Sequence, residues 1–211
     1  MDIKKSYPNS SLTANNLTIG YLADKPVLEN LNFEVTAPGL IRLDSPNGTG
    51  KSTLIETASG YLKPLAGKLS INGIDVREPE LRLIRKVCRE RPALHPYLSL
   101  NDHLAIAADL GEVERSEPLS RAKNYGLDEW ARTRTTELST GTAKKLWFIM
   151  CTTGKFSMAF LDEPFNGLDR ESVDLMCGEI NEWKTEKLVV LASHTIPTAL
   201  ELDETLALHE L

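Results

Sequence analysis

The chain has 211 residues, 41% of them hydrophobic and 26% charged, with a formal net charge of −6. That apolar content is enough to bury a core, which excludes a mainly disordered chain, and the length suits one domain with a modest subdomain. The acidic balance excludes a general polyanion binder, so any phosphate must be held at a local site and no nucleic-acid partner is expected. Cys88, Cys151 and Cys177 lie far apart without metal-ligand spacing, the pattern of reduced thiols in an intracellular protein. No run approaches the ~20 apolar residues of a membrane span. The start, Met1-Asp2-Ile3-Lys4-Lys5, lacks the apolar core of a signal peptide.

In chain order, a polar lead-in around Tyr7-Pro8-Asn9 precedes an expected strand near Leu12–Ile19. Val27–Val35 alternates apolar and polar residues in its second half, as a half-buried strand does. Gly39–Leu43 reads as a strand that runs into a loop, Asp44–Gly50, and then into a helix from Lys51 to about Leu62. Lys68–Ile71 and Ile74–Val76 flank Asn72-Gly73, a tight-hairpin signal. The middle changes character: Leu100, Leu104, Ile106, Ala107 and Leu110 have helical spacing, and a second helix is expected around Arg121–Tyr125 after a Pro-interrupted stretch. This implies a helical subdomain, about residues 92–155, inserted between core strands. A helix is expected from Thr140 to about Cys151, a buried strand over Ser157–Leu161, and a helix over Glu171–Lys184. A buried strand over Leu188–Ser193 and a short one at Thr205–Leu208 follow. Alternating strands and helices imply a parallel α/β core.

The strongest chemical signal is Gly48-Thr49-Gly50-Lys51-Ser52-Thr53, between a strand and a helix. Glycines let the loop bend so that successive N–H groups face a phosphate chain, and the helix N-terminus adds partial positive charge. Lys51 is placed for the terminal phosphates and the Ser52 hydroxyl for Mg²⁺. The strict G-x-x-x-x-G-K-[ST] pattern needs glycine where this chain has Ser45. Later, Met158–Leu161 ends in Asp162-Glu163-Pro164. A carboxylate closing a buried strand needs a partner. Asp162 suits Mg²⁺ beside Ser52, and Glu163 suits polarising a water for attack on a γ-phosphate. The plain reading of Asp162-Glu163 is an acidic helix start, and of the loop a glycine-rich turn. Their pairing favours the catalytic one.

On these residues the chain resembles the nucleotide-binding domain of an ABC transporter over about Leu17–Leu208. Ser45–Thr53 resembles the Walker A loop and Leu161–Pro164 the end of Walker B. Leu138-Ser139-Thr140-Gly141-Thr142 stands where the family has Leu-Ser-Gly-Gly-Gln. Asn166–Asp169 resembles the D-loop, His194 the switch histidine, and Tyr21 the aromatic that stacks on adenine. The resemblance implies a P-loop NTPase fold with a RecA-like parallel core, an N-terminal antiparallel β-subdomain and an inserted helical subdomain. It implies ATP and Mg²⁺ as cofactors. Tyr21, Ser45, Asn47, Gly48, Thr49, Gly50, Lys51, Ser52 and Thr53 become nucleotide contacts, Ser52 and Asp162 metal ligands, and Glu163 and His194 catalytic residues. Ser139 and Gly141 would face the ATP of a second nucleotide-binding domain, in a homodimer or heterodimer. The expected partners are separate transmembrane permease subunits, which would hold the protein at the inner face of the membrane from the cytoplasm.

Four departures from the family pattern stand out. Ser45 replaces a glycine, which is harmless unless that position needs a positive φ. Thr140 and Thr142 replace glycine and glutamine in the signature. The family's Q-loop glutamine falls near Arg89-Glu90-Arg91-Pro92, where either Glu90 or Arg91 takes its place. The segment Lys144–Met150 lacks the family's Ala-Arg-Ala run, and Trp147 and Phe148 there read as packing residues. A functional ATPase, atypical or slow when alone, is the expectation. The compact length and Asn-Gly-Leu-Asp resemble ABC-2 exporter cassettes. The alternatives are a regulatory, poorly hydrolysing cassette of a heterodimer, or a soluble non-transport ABC ATPase.

Overall fold

A computed structural model describes residues 10–46 and 48–209. The lead-in at Tyr7–Asn9, the loop residue Asn47 and the last two residues lie outside the described residues. The strands are β1 (Ser11–Ile19), β2 (Leu28–Thr36), β3 (Gly39–Asp44), β4 (Ala66–Ile71), β5 (Ile74–Asp75), β6 (Arg85–Cys88), β7 (Met158–Asp162), β8 (Leu188–Ala192) and β9 (Glu204–Ala207). The helices are α1 (Lys51–Ala58), α2 (Leu100–Gly111), α3 (Ser116–Asn124), α4 (Thr140–Thr152) and α5 (Arg170–Trp183).

Two sheets form. One is antiparallel with order β2-β1-β4-β5, and the other has order β6-β7-β8-β3-β9. All the pairings of the second sheet are parallel. This is the α/β architecture expected of a P-loop NTPase, and α2, α3 and α4 all fall between β6 and β7. The central strands are apolar on both faces, and their period of two sends alternate residues to two cores. Ile41, Leu43, Met158, Phe160, Leu188, Val190 and Ala192 join a core with α1 and the antiparallel sheet. Leu40, Ala159, Leu161, Val189 and Leu191 join a core with α2, α4 and α5.

Two helix limits differ from expectation. α1 stops at Ala58 because Gly60 adopts a left-handed φ of +76° and its N–H caps the Thr57 carbonyl at 2.9 Å. α3 starts at Ser116, five residues before Arg121, because Pro118 sits in its first turn, where no intrahelical N–H is needed. The hairpin turn at Asn72-Gly73 has both φ angles positive, 53° and 77°, as such a turn requires.

Candidate functional site

The parallel register brings the predicted motifs to one edge. β8 lies between β3 and β7, with Leu43 and Asp162 both paired to Ala192. The three strands therefore end level, and the loop after β3, the Asp162-Glu163 pair and Ser193-His194 converge beyond their carboxyl ends, where α/β sheets place their ligands.

In the loop, the Ser45 backbone does not adopt a positive φ, so serine replaces glycine there without strain. Its hydroxyl lies 2.5 Å from the Thr49 hydroxyl, and the Thr49 hydroxyl donates to the Pro46 carbonyl at 2.6 Å. Gly50 has φ +108°, and a Cβ there would lie 2.6 Å from Leu28 Cδ1, so glycine is required on two grounds. The Lys51 ammonium is buried and donates to the carbonyls of Ser45, at 2.5 Å, and Pro46, at 3.2 Å. A cation folded over its own loop carbonyls, at the N-terminus of a helix, is poised for an anion that replaces them. Thr53 is buried within α1. Tyr21 is exposed and its phenol donates to Glu56 Oε2 at 2.9 Å, which leans it along α1.

Asp162 is buried, and burial pushes its carboxyl up to about 6; a hydrogen bond from Ser52 opposes the rise, while Glu90, Glu163 and Glu56 add to it. A buried carboxylate crowded by three others and touching a hydroxyl is a hard-cation site in want of charge. The two oxygens of Ser52 and Asp162 fit Mg²⁺, which takes few protein ligands and completes its shell with phosphate and water. No group of three His, Cys, Asp or Glu side chains able to hold a metal occurs among the described residues.

Glu163 has φ +45°, the left-handed region, which costs a residue with a side chain about 1–3 kcal/mol. Its surroundings over-determine it. Its N–H donates to the Ala192 carbonyl at 2.8 Å, and its own carbonyl accepts from Lys144 Nζ at 3.1 Å. Its carboxylate accepts from the His194 N–H at 3.1 Å and from the Ser193 hydroxyl at 3.4 Å, and His194 Nε2 lies 3.4 Å away. The buried carboxylate and the half-exposed imidazole thus form one unit at the mouth of the site.

Ser139 and Gly141 lie elsewhere. Ser139 caps α4, accepting from the Thr142 N–H at 3.1 Å, and Thr140 is the exposed first residue of that helix. A Cβ at Gly141 would lie 3.2 Å from the Gly167 carbonyl, and Lys145 pairs with Asp169 at 3.5 Å. The signature therefore abuts the D-loop of its own chain. Among the described residues no hydrogen bond or ion pair links Ser139 or Gly141 to the phosphate loop.

Three functional positions escaped the sequence. The edge strand β6 did, because Arg85-Lys86-Val87-Cys88 is too charged to read as buried. Its pairing of Cys88 with Leu161 puts the following residues level with Asp162, and Glu90, rather than Arg91, is the one whose charge acts on Asp162. Lys144 left no signal of its grip on Glu163. Trp147 does more than pack: its Nε1 donates to the Arg89 carbonyl at 3.0 Å and so ties the residue before Glu90 to α4. Phe148 is core, stacked on Trp183 at 5.6 Å between centroids.

The profile of the ABC transporter family matches residues 28–166. The chain is 27% identical over 213 aligned residues to the taurine import ATP-binding protein TauB of Pelagibacter ubique, covering 93% of this chain and 77% of that protein. It is 26% identical to the lantibiotic transport ATP-binding protein SrtF of Streptococcus pyogenes, covering 90% of this chain and 82% of that one. A solved ABC transporter ATP-binding protein from Pyrococcus furiosus superposes with a TM-score of 0.78 at 27% identity, over 95% of this chain and 98% of its own.

Proposed function

The chain belongs to the ABC transporter family as an ATP-binding domain, and on that footing we propose that it is the ATP-hydrolysing subunit of a transporter whose membrane-spanning subunits are separate chains. The observation that carries this reading is the convergence, at the ends of β3, β7 and β8, of a buried loop lysine, a buried Asp162 beside Ser52 and the Glu163–His194 unit.

In this reading the Lys51 ammonium leaves the Ser45 and Pro46 carbonyls for phosphate oxygens, and the first N–H groups of α1 face the same phosphates. Ser52 and Asp162 would hold Mg²⁺, which would screen the phosphate charge. Glu163 accepts a hydrogen bond from the attacking water and orients it, and His194 holds that carboxylate while reaching toward the γ-phosphate. Tyr21 stands at the edge of the site as a stacking face for adenine. Ser139 and the N-terminus of α4 act on the nucleotide of a second copy or a related cassette, since among the described residues they make no bond to the loop of their own chain. Glu90 and Thr140, in place of glutamine and glycine, favour slow turnover by the isolated chain. The Asn-Gly-Leu-Asp D-loop favours an exporter of the ABC-2 kind, with the protein held at the inner membrane face by its permease. Among the described residues no helix is long and apolar enough to cross a membrane.

Glu163→Gln tests the assignment. Hydrolysis should fall by about a hundredfold or more while ATP binding persists, and size-exclusion with Mg²⁺-ATP should show a trapped dimer. Hydrolysis at the parent rate would remove Glu163 from the chemistry. A parent chain that binds ATP yet never hydrolyses it would favour the regulatory cassette.

A further inference from the structure

Glu56 is the one carboxylate of α1. It lies one turn beyond Thr53 and therefore on the same side of the helix. Both residues border Tyr21: the phenol donates to Glu56 Oε2 at 2.9 Å, and Thr53 stands beside the same hydroxyl. A carboxylate in the last turn of a helix opposes the helix dipole, and the charge of Glu56 also pushes Asp162 upward. Both effects are unfavourable to the free protein. Among the described residues the Glu56 side chain forms no ion pair, and the contact it does make is with Tyr21.

The loop that carries Tyr21 is tied down on either side of the ring. The Val27 N–H donates to the Ile19 carbonyl at 2.8 Å, and the Lys25 N–H to the Leu22 carbonyl at 3.2 Å. A Cβ at Gly50 would lie 2.6 Å from Leu28 and 3.1 Å from Val27, so the loop's end is pressed against the phosphate loop. The Tyr21 side chain itself is 61% exposed. Packing therefore does little to choose among its staggered rotamers, and the charge-assisted bond to Glu56 is what chooses.

We propose that Glu56 is a positioning residue for the nucleotide base: through its bond to the phenol it holds the Tyr21 ring in the pose that stacks a purine, a role that rests on the reading of Tyr21 as the stacking face. Thr53 and Glu56 together lay the ring along the turn of α1 that follows the phosphate loop, where a nucleotide gripped by Lys51 and Ser52 would extend its base. A ring already held there need not be immobilised when the nucleotide arrives. Sparing that entropy is worth about threefold to tenfold in Kd. The gain belongs to the base alone, because neither Glu56 nor Tyr21 is asked to touch phosphate.

The test is calorimetric titration of the full chain with Mg²⁺-ADP, which binds without turnover, and displacement of that ADP by inorganic tripolyphosphate, which has phosphates and no base. Glu56→Ala is compared with Glu56→Gln, because both remove the charge and only glutamine keeps an acceptor for the phenol. Glu56→Ala should bind ADP about threefold to tenfold more weakly than Glu56→Gln, and the two should bind tripolyphosphate alike. In a Tyr21→Phe background, which lacks the donor, the alanine and glutamine variants should bind ADP equally. Equal ADP affinities with Tyr21 intact would overturn the positioning role. So would a loss shared by tripolyphosphate, which would make Glu56 a support of the helix or the phosphate loop. Tighter ADP binding by Glu56→Ala would show that the bond holds the ring out of the base's way, and would overturn it as well. Tyr21→Ala checks the stacking face separately: it should weaken ADP about tenfold and spare tripolyphosphate. An unchanged ADP affinity there would remove the stacking face itself, whatever Glu56 does.

Discussion

The Asp162-Glu163 corner and the Ser139–Gly141 corner are both expected to meet ATP, yet they are built in opposite ways. The first is buried at the ends of apolar parallel strands, and every polar group of Glu163 has a partner within its own chain. The second is an exposed helix start whose serine is used to cap its own helix. Strain such as the positive φ of Glu163 persists only where neighbours fix it, so the half proposed to carry hydrolysis is pre-formed. Among the described residues the signature half makes no bond to the phosphate loop, and in the proposed reading another chain supplies its phosphate. The contrast between a completed half and an open half is the physical basis for proposing a site shared between two chains.

The sharpest way to break that contrast is to remove the lysine of the completed half. Lys51→Ala should weaken ATP binding about a hundredfold, the worth of a charge-assisted bond or two, measured by calorimetry at any protein concentration. Unchanged affinity would show that the loop is only a turn. Next comes the support of Glu163. Lys144→Ala, which frees the carbonyl of the strained residue, should lower kcat by about tenfold with KM unchanged, as read from steady-state kinetics. A change in KM alone would mean that Lys144 serves binding.

The pH dependence isolates Asp162. Its folded pKa, about 6, stands above the unfolded value of 3.8, so the folded state binds more protons between those values. Stability of the free protein therefore falls as pH rises from 4 to 6, by up to about 3 kcal/mol. In the proposed reading Mg²⁺ needs the ionised Asp162, whose population falls as pH drops through about 6. The Tm increment given by Mg²⁺ with ATP, over ATP alone, should accordingly shrink as pH drops below 6. The smallest effect concerns the open half. Ser139→Ala should cost about 1 kcal/mol as a lost cap, or about 2–4 °C in Tm, while ATP binding by the monomer stays as it was. A loss of monomer binding would place Ser139 in its own chain's site.

Much of this was legible in the sequence because the completed half obeys local rules. Met158–Leu161 and Leu188–Ala192 are unbroken apolar runs, and Gly48–Ser52 announces its loop by composition. The positions that were hidden depend on distant partners. Arg85 lies in a buried edge strand only because the Ala58 and Val76 carbonyls receive its guanidinium. Whether Glu90 or Arg91 faces the metal site depended on the register of β6 against β7. The left-handed backbone of Glu163 and the reach of Lys144 to it across α4 follow from tertiary packing, which no spacing encodes. Ser45 was readable as a departure, but its harmlessness needed its backbone angle.

The most direct test of the split site is Mg²⁺-ATP turnover per chain across a wide range of protein concentration, with Glu163→Gln as the control. Turnover per chain that rises with concentration toward a plateau, and vanishes in the control, is the predicted result. Turnover per chain that stays constant from the most dilute samples upward would show that one chain holds a complete site, and would contradict the account.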